Sequence, residues 1–268
     1  MSELRVALVA EGPTDRVIIE SALKAILSKP FTLALLQPEP THPKPGGGWC
    51  GVFKWCRAFA ARTQTSLESD PTLPDFDLFI IQVDADVAED KYADGGEEMA
   101  AAAKGLPSLP CSKPCPPPAD TADEVRARIL AWLGLSKVGP KTVLCVPSKA
   151  SEAWLAAGLC DEPHWILNGL ECNLNLEAQL RSLPLKQRIK KNVRDYSAHS
   201  VRMTRQWDKV TSHCAQAQRF ATEVLAAAPT EQNEDGGGTR KSPPVPSRVD
   251  GRDREELPVP KARGVSDP

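Results

Sequence analysis

Apolar residues along this chain switch between two periods, and the switches lay out its elements. Leu4 to Ala10 is a short, nearly unbroken apolar run, the pattern of a strand buried on both faces. From Thr14 to about Ser28, Val17, Ile18, Ala22, Leu23 and Ile26 recur every three or four positions. That spacing predicts a helix with one buried stripe, whose first turn Thr14 or Asp15 can cap. Phe31 to Leu36 reads as a second strand, residues 37–48 as a Pro- and Gly-rich loop, and Val52 to Arg62 as a helix carrying Trp55, Ala58 and Phe59. Phe76 to Val83 is apolar after Asp77, as a central parallel strand should be. A Pro- and Ala-rich insertion over 87–119 leads into a helix from Asp120 to Leu133. Gly139-Pro140 then turns into a strand over Lys141–Val146.

Strand and helix alternating in this way predict a doubly wound α/β domain with a parallel-centred sheet over residues 1–160. Residues 161–228 read as a helical extension, with Leu174–Leu183 and Met203–Ala228 as its clearest helices. The last stretch, 229–268, combines Gly236-Gly-Gly238 and Pro243-Pro-Val-Pro246 with mixed charge and no aromatic residue. Such a segment buries too little apolar surface to offset its ordering entropy, so a disordered tail is expected there.

With 268 residues and 41% hydrophobic content, the chain can pack a core over most of its length. Its apolar runs are shorter than a bilayer span, and Met1 leads directly toward a strand, so a cytoplasmic protein without membrane association is expected. In that setting the eight Cys are expected to be reduced thiols, mostly filling the core. The net charge of −2 argues against a polyanion-binding protein overall, yet it hides an asymmetry. Residues 66–100 hold eleven Asp/Glu against one Lys, and residues 181–209 hold nine Lys/Arg against two Asp. Two solvated faces would account for this. That is the plainer account of each segment alone, and a metal site beside a phosphate-binding surface would need the same asymmetry.

Three of the predicted strands run into acidic residues: Glu11 with Asp15, Asp84 with Asp86, and Glu152. In a parallel sheet all these ends lie at one edge, where α/β folds bind ligands. Carboxylates gathered there repel one another unless a cation sits among them, and an all-oxygen set suits Mg²⁺ or Mn²⁺. Glu11, Asp84 and Asp86 are therefore candidate metal ligands. The period of two places Asp84 and Asp86 on one face. The structural alternatives are a turn with a capping acid at Glu11-Gly12-x-x-Asp15, a loop-start Asp pair, and a first-turn helix acid at Glu152.

Glu-Gly-x-x-Asp after the first strand followed by Asp-x-Asp after a later buried strand resembles the TOPRIM domain. That domain is shared by topoisomerases, bacterial primases, recombination mediators and the nuclease half of OLD-family proteins. The likeness covers roughly residues 4–155 and is nearest to small bacterial TOPRIM-like proteins related to OLD nucleases. It implies a TOPRIM-like Rossmannoid fold in which Glu11, Asp84 and Asp86 bind Mg²⁺ and act catalytically, with Asp15 as a second-metal ligand. Lys149 and Glu152 stand where OLD-like nucleases add a Lys and a later acid. The implied function is a Mg²⁺-dependent nuclease in anti-phage defence with a partner ATPase. The alternative is a catalytically silent subunit of the same fold that docks on such a partner. Neither Tyr92 nor Tyr196 lies in a topoisomerase-like context, and Gly46-Gly-Gly48 lacks the Gly-Lys-Ser/Thr ending of a phosphate-binding loop.

Downstream, Lys186, Arg188, Lys190, Lys191 and Arg194 form a basic stretch able to follow a nucleic-acid backbone. Lys186, Lys190 and Arg194 fall on one stripe if the segment is helical, and Trp207 offers either a stacking surface or a core residue. Cys111-x₃-Cys115 has zinc-like spacing without a second pair.

Overall fold

The computed structural model describes residues 3–38, 46–63 and 65–229; the expected tail beyond Pro229 lies outside the described residues. β1 (Leu4–Val9) leads into α1 (Pro13–Ile26), β2 (Phe31–Gln37), α2 (Gly48–Arg62) and β3 (Leu78–Gln82). The insertion after β3 contains one short helix, α3 (Glu97–Ala102), and is followed by α4 (Ala119–Leu133) and β4 (Thr142–Cys145). The four strands form one all-parallel sheet in the order β2-β1-β3-β4. This is the α/β architecture that the alternating periods predict.

The strand period of two divides the core. Val6, Leu8, Leu78, Ile80 and Val143 face α1, while Ala7, Val9, Phe79, Ile81 and Leu144 face α2 and α4. From β1 the chain passes through α1 on one face to β2, whereas from β3 it passes through α4 on the other face to β4 on the opposite side of the sheet. The topology therefore reverses between β1 and β3, the place where open α/β sheets form a crevice.

α5 (Glu152–Leu159) follows β4, and every one of its residues is buried. A helix apolar on all sides must be surrounded by protein. The remaining helices do this: α6 (Leu176–Ser182), α7 (Val193–Arg205), α8 (Trp207–His213) and α9 (Ala215–Ala227). Leu180, Tyr196, Met203, Val210 and Phe220 join the same core cluster as β1, β3 and β4. Trp154 of α5 is fully buried between Trp207 and Phe220, with ring centroids 5.7 and 5.6 Å away. Trp207 is thus a core residue, not a stacking surface.

Four expectations need correction. The helix expected over Met203–Ala228 is broken at Gln206 and Cys214, giving three helices in place of one. The Glu171 carboxylate accepts hydrogen bonds from the Ala215 and Gln216 N–H groups at 2.7 and 3.0 Å, and so fixes where α9 starts. Lys186, Lys190 and Arg194 share no helical stripe, because residues 184–192 form turns and extended chain ahead of α7. Asn192 caps α7 by accepting from the Asp195 N–H at 2.9 Å. α1 begins at Gly12 with no side-chain cap, so neither Thr14 nor Asp15 serves as one. Finally, Cys115 and Cys172 are joined in a disulfide that ties the segment before α4 to the segment before α6, with Cα atoms 5.5 Å apart. Of the other cysteines, Cys56, Cys145, Cys160 and Cys214 are buried filler and Cys111 is exposed, so the zinc-like spacing gathers no site.

Truncating Trp154 to Ala should remove the packing that seats α8 and α9 on the sheet. A loss of roughly 3–5 kcal/mol in urea unfolding is expected. A loss below about 1 kcal/mol would show that these helices do not depend on that ring.

Candidate metal centre

The acidic ends of β1 and β3 are held together by one amide. Gln82, the last residue of β3, is fully buried. Its Oε1 accepts from the Glu11 N–H at 3.0 Å, and its Nε2 donates to Asp84 Oδ1 at 2.8 Å. The Asp84 N–H in turn donates to Glu11 Oε1 at 2.8 Å. After Asp84 the chain enters a short 3₁₀ turn, Ala85–Glu89. The end of β4 supports that turn, with the Ala85 and Asp86 N–H groups donating to the Pro147 and Lys149 carbonyls at 3.0 and 3.1 Å. Across Glu11, Asp84 and Asp86, one ligand oxygen from each lies within 4.8 Å of the others. Ligands about 2.0–2.6 Å from a shared ion fall within that span. Asp86 converges through the turn and not through strand pleat, because β3 ends at Gln82.

Asp15 and Glu152 stand beside this set. Asp15, buried in the first turn of α1, accepts from Ser151 Oγ at 2.6 Å. Glu152 opens α5 and is 1% exposed. Its Oε1 accepts from Tyr196 Oη at 2.8 Å and lies 3.0 Å from Lys191 Nζ, while its Oε2 has no hydrogen-bond partner. Lys149 is turned elsewhere: its ammonium donates to Ser112 Oγ at 2.8 Å and lies 3.6 Å from Glu89. Lys191, placed in the sequence among phosphate contacts, is therefore the lysine paired with a site acid. Lys186, Arg188, Lys190 and Arg194 are exposed at the surface, and Lys191 itself keeps 38% of its side chain exposed.

The electrostatics reflect crowding of like charge. Burial, then repulsion from Asp15 and Asp86, raises the Glu11 carboxyl well above its ordinary range. Asp84 is raised likewise, by burial and then by Asp15, Glu11 and Asp86. Burial lifts Asp15 to about 6 against the stabilising bond from Ser151. Asp86 has an exposed surface at the rim, and desolvation of its carboxylate in the recess lifts it to about 6 against the pull of Lys191. For Lys191, burial favours the neutral form, but Glu152 outweighs it and the ammonium is strengthened. This donor set fits a hard divalent cation: all the ligating atoms are oxygens, the few donors that reach them do not offset their mutual repulsion, and a buried Glu152 oxygen is unpartnered.

Gln82 and Tyr196 are the residues contacting the acidic set that sequence reasoning missed. Gln82 leaves a faint trace, as a lone amide in an apolar strand; Tyr196 leaves none. A cavity of about 540 Å³ opens beside Glu11, with Arg16, Leu35, Pro38, Gly47 and Val193 among its walls. Gly48, left-handed at φ 69°, donates its N–H to the Glu11 carbonyl at 2.8 Å and holds the start of α2 against the site. Neither a family model, nor a curated protein, nor a solved structure matches the chain.

The sign of the pH effect follows from these shifts. A carboxyl raised on folding contributes stability below its unfolded pKa and loses it as pH rises through the folded value. For Asp15, moved from 3.8 to about 6, the charged form costs roughly 3 kcal/mol at neutral pH. Replacing Asp84 by Asn should accordingly raise the melting temperature of metal-free protein at pH 8, and the gain should shrink as acid protonates wild-type Asp84. Adding Mg²⁺ should favour the wild type instead. Equal melting curves at both pH values would show that Asp84 is not under charge strain.

Proposed function

We propose that this protein is a Mg²⁺-dependent nuclease acting on phosphodiester bonds of DNA or RNA, built on a TOPRIM-like domain. The observation that carries this reading is the convergence of Glu11, Asp84 and Asp86 at the topological reversal between β1 and β3. These three side chains would hold Mg²⁺, and Mn²⁺ suits the same oxygens. When bound, the ion supplies Lewis-acid polarisation of a phosphoryl oxygen. Asp15, titrating near 6, can hold or release a proton close to neutral pH. Lys186, Arg188, Lys190 and Arg194 are exposed in the segment that carries Lys191, and they would supply backbone phosphate contacts. The resemblance to OLD-related proteins extends the reading to anti-phage defence beside a partner ATPase in the cytoplasm. Among the described residues, no helix is long and apolar enough to cross a membrane.

Asp84→Asn should abolish cleavage, since an amide replaces an anionic ligand, while leaving the fold intact. Cleavage of plasmid, single-stranded DNA and RNA should be measured with Mg²⁺ and with chelator. Unchanged cleavage by the variant, or none by the wild type on any substrate, would defeat the nuclease reading in favour of a docking subunit.

Reversing charge at Lys190 and Arg194 together should weaken nucleic-acid binding across all sequences. The slope of log affinity against log salt should become shallower by about 1 for each phosphate that is no longer neutralised. An unchanged slope would remove these residues from the interface.

A further inference from the structure

The recess holds two kinds of cation position. At the first, Glu11, Asp84 and Asp86 are the single set of three or more metal-ligating side chains, among the described residues, whose ligand atoms converge. Neither Asp15 nor Glu152 belongs to that set. The second position is already filled. Lys191 Nζ lies 3.0 Å from Glu152 Oε1 and 3.9 Å from Glu177 Oε2, and Asp15 and Asp84 add longer-range attraction. Glu152 is buried, and its Oε2 has no hydrogen-bond partner. Stranding an anionic oxygen in this way is costly unless positive charge stands close by.

Resting on the metal reading above, we propose that the Lys191 ammonium takes the place of a second divalent ion, so that the site binds one. A divalent ion on Glu152 would share a carboxylate with an ammonium 3.0 Å from its Oε1, on a side chain that is 38% exposed at the mouth of the recess. Like charges that close repel each other, most strongly on the side of the buried carboxylate. The backbone on either side of this lysine is anchored. On one side the Lys190 N–H donates to Asp195 Oδ2 at 3.0 Å, and on the other Asn192 caps α7. Two adjacent lysines thus divide the work: Lys190 faces solvent and nucleic acid, whereas Lys191 supplies a cation that needs no metal in the medium.

The test counts Mn²⁺ bound to the full chain by electron paramagnetic resonance and calorimetry. The wild type should bind one ion, and Lys191→Met should bind two. Lys191→Arg, which keeps the charge, should bind one. Lys191→Met combined with Glu152→Gln should return to one. Circular dichroism melting establishes that each variant is folded. Two ions on the wild type would overturn the assignment even if Lys191→Met failed to fold. A single ion on folded Lys191→Met would overturn it as well. No ion on the wild type would defeat the metal reading itself, and this assignment with it.

Discussion

Charge repulsion between carboxylates at the ends of β1 and β3 is the constraint around which the site is organised. Left alone, Glu11 and Asp84 would drive the strand ends apart or keep their protons. Gln82 prevents the first outcome by bonding to both residues at once, using its carbonyl for the Glu11 backbone and its amide for the Asp84 carboxylate. The second outcome persists, since both acids stay well above their ordinary titration range. Stability is held in reserve here, and a divalent cation would release it.

That arrangement depends on helices far along the chain. The turn carrying Asp86 leans on the end of β4, and β4 runs into α5, whose first residue is Glu152. Because α5 is buried on every side, it exists only inside the packing of α6 to α9. Those helices in turn bring Tyr196 and Lys191 to Glu152. The acidic edge and the helical region are therefore mechanically one object, joined through Trp154.

The basic segment shows how the fold divides a uniform stretch of sequence. Lys186 to Arg194 reads as a row of equivalent phosphate contacts. In the fold the row is not helical, and its members do not share a stripe. Lys191, itself 38% exposed, reaches the buried Glu152 carboxylate from the surface that it shares with its neighbours. Lys149, the lysine that the resemblance places at the site, has its ammonium on Ser112 and near Glu89.

Local periodicity determined the strands, their parallel sense and the convergence of acids at one edge, because residues 4–10, 76–83 and 141–146 carry those signals within a few positions. The five acids Glu11, Asp15, Asp84, Asp86 and Glu152 were legible for the same reason, as the residues that follow strands or open helices. Meetings between distant segments were not legible. Gln82 bridging two strand ends, Glu171 starting α9, the Cys115–Cys172 bond and the choice of Lys191 over Lys149 each join residues dozens of positions apart. A one-dimensional pattern records which residues are apolar and how they repeat. Which polar groups meet is settled only when packing brings their segments together.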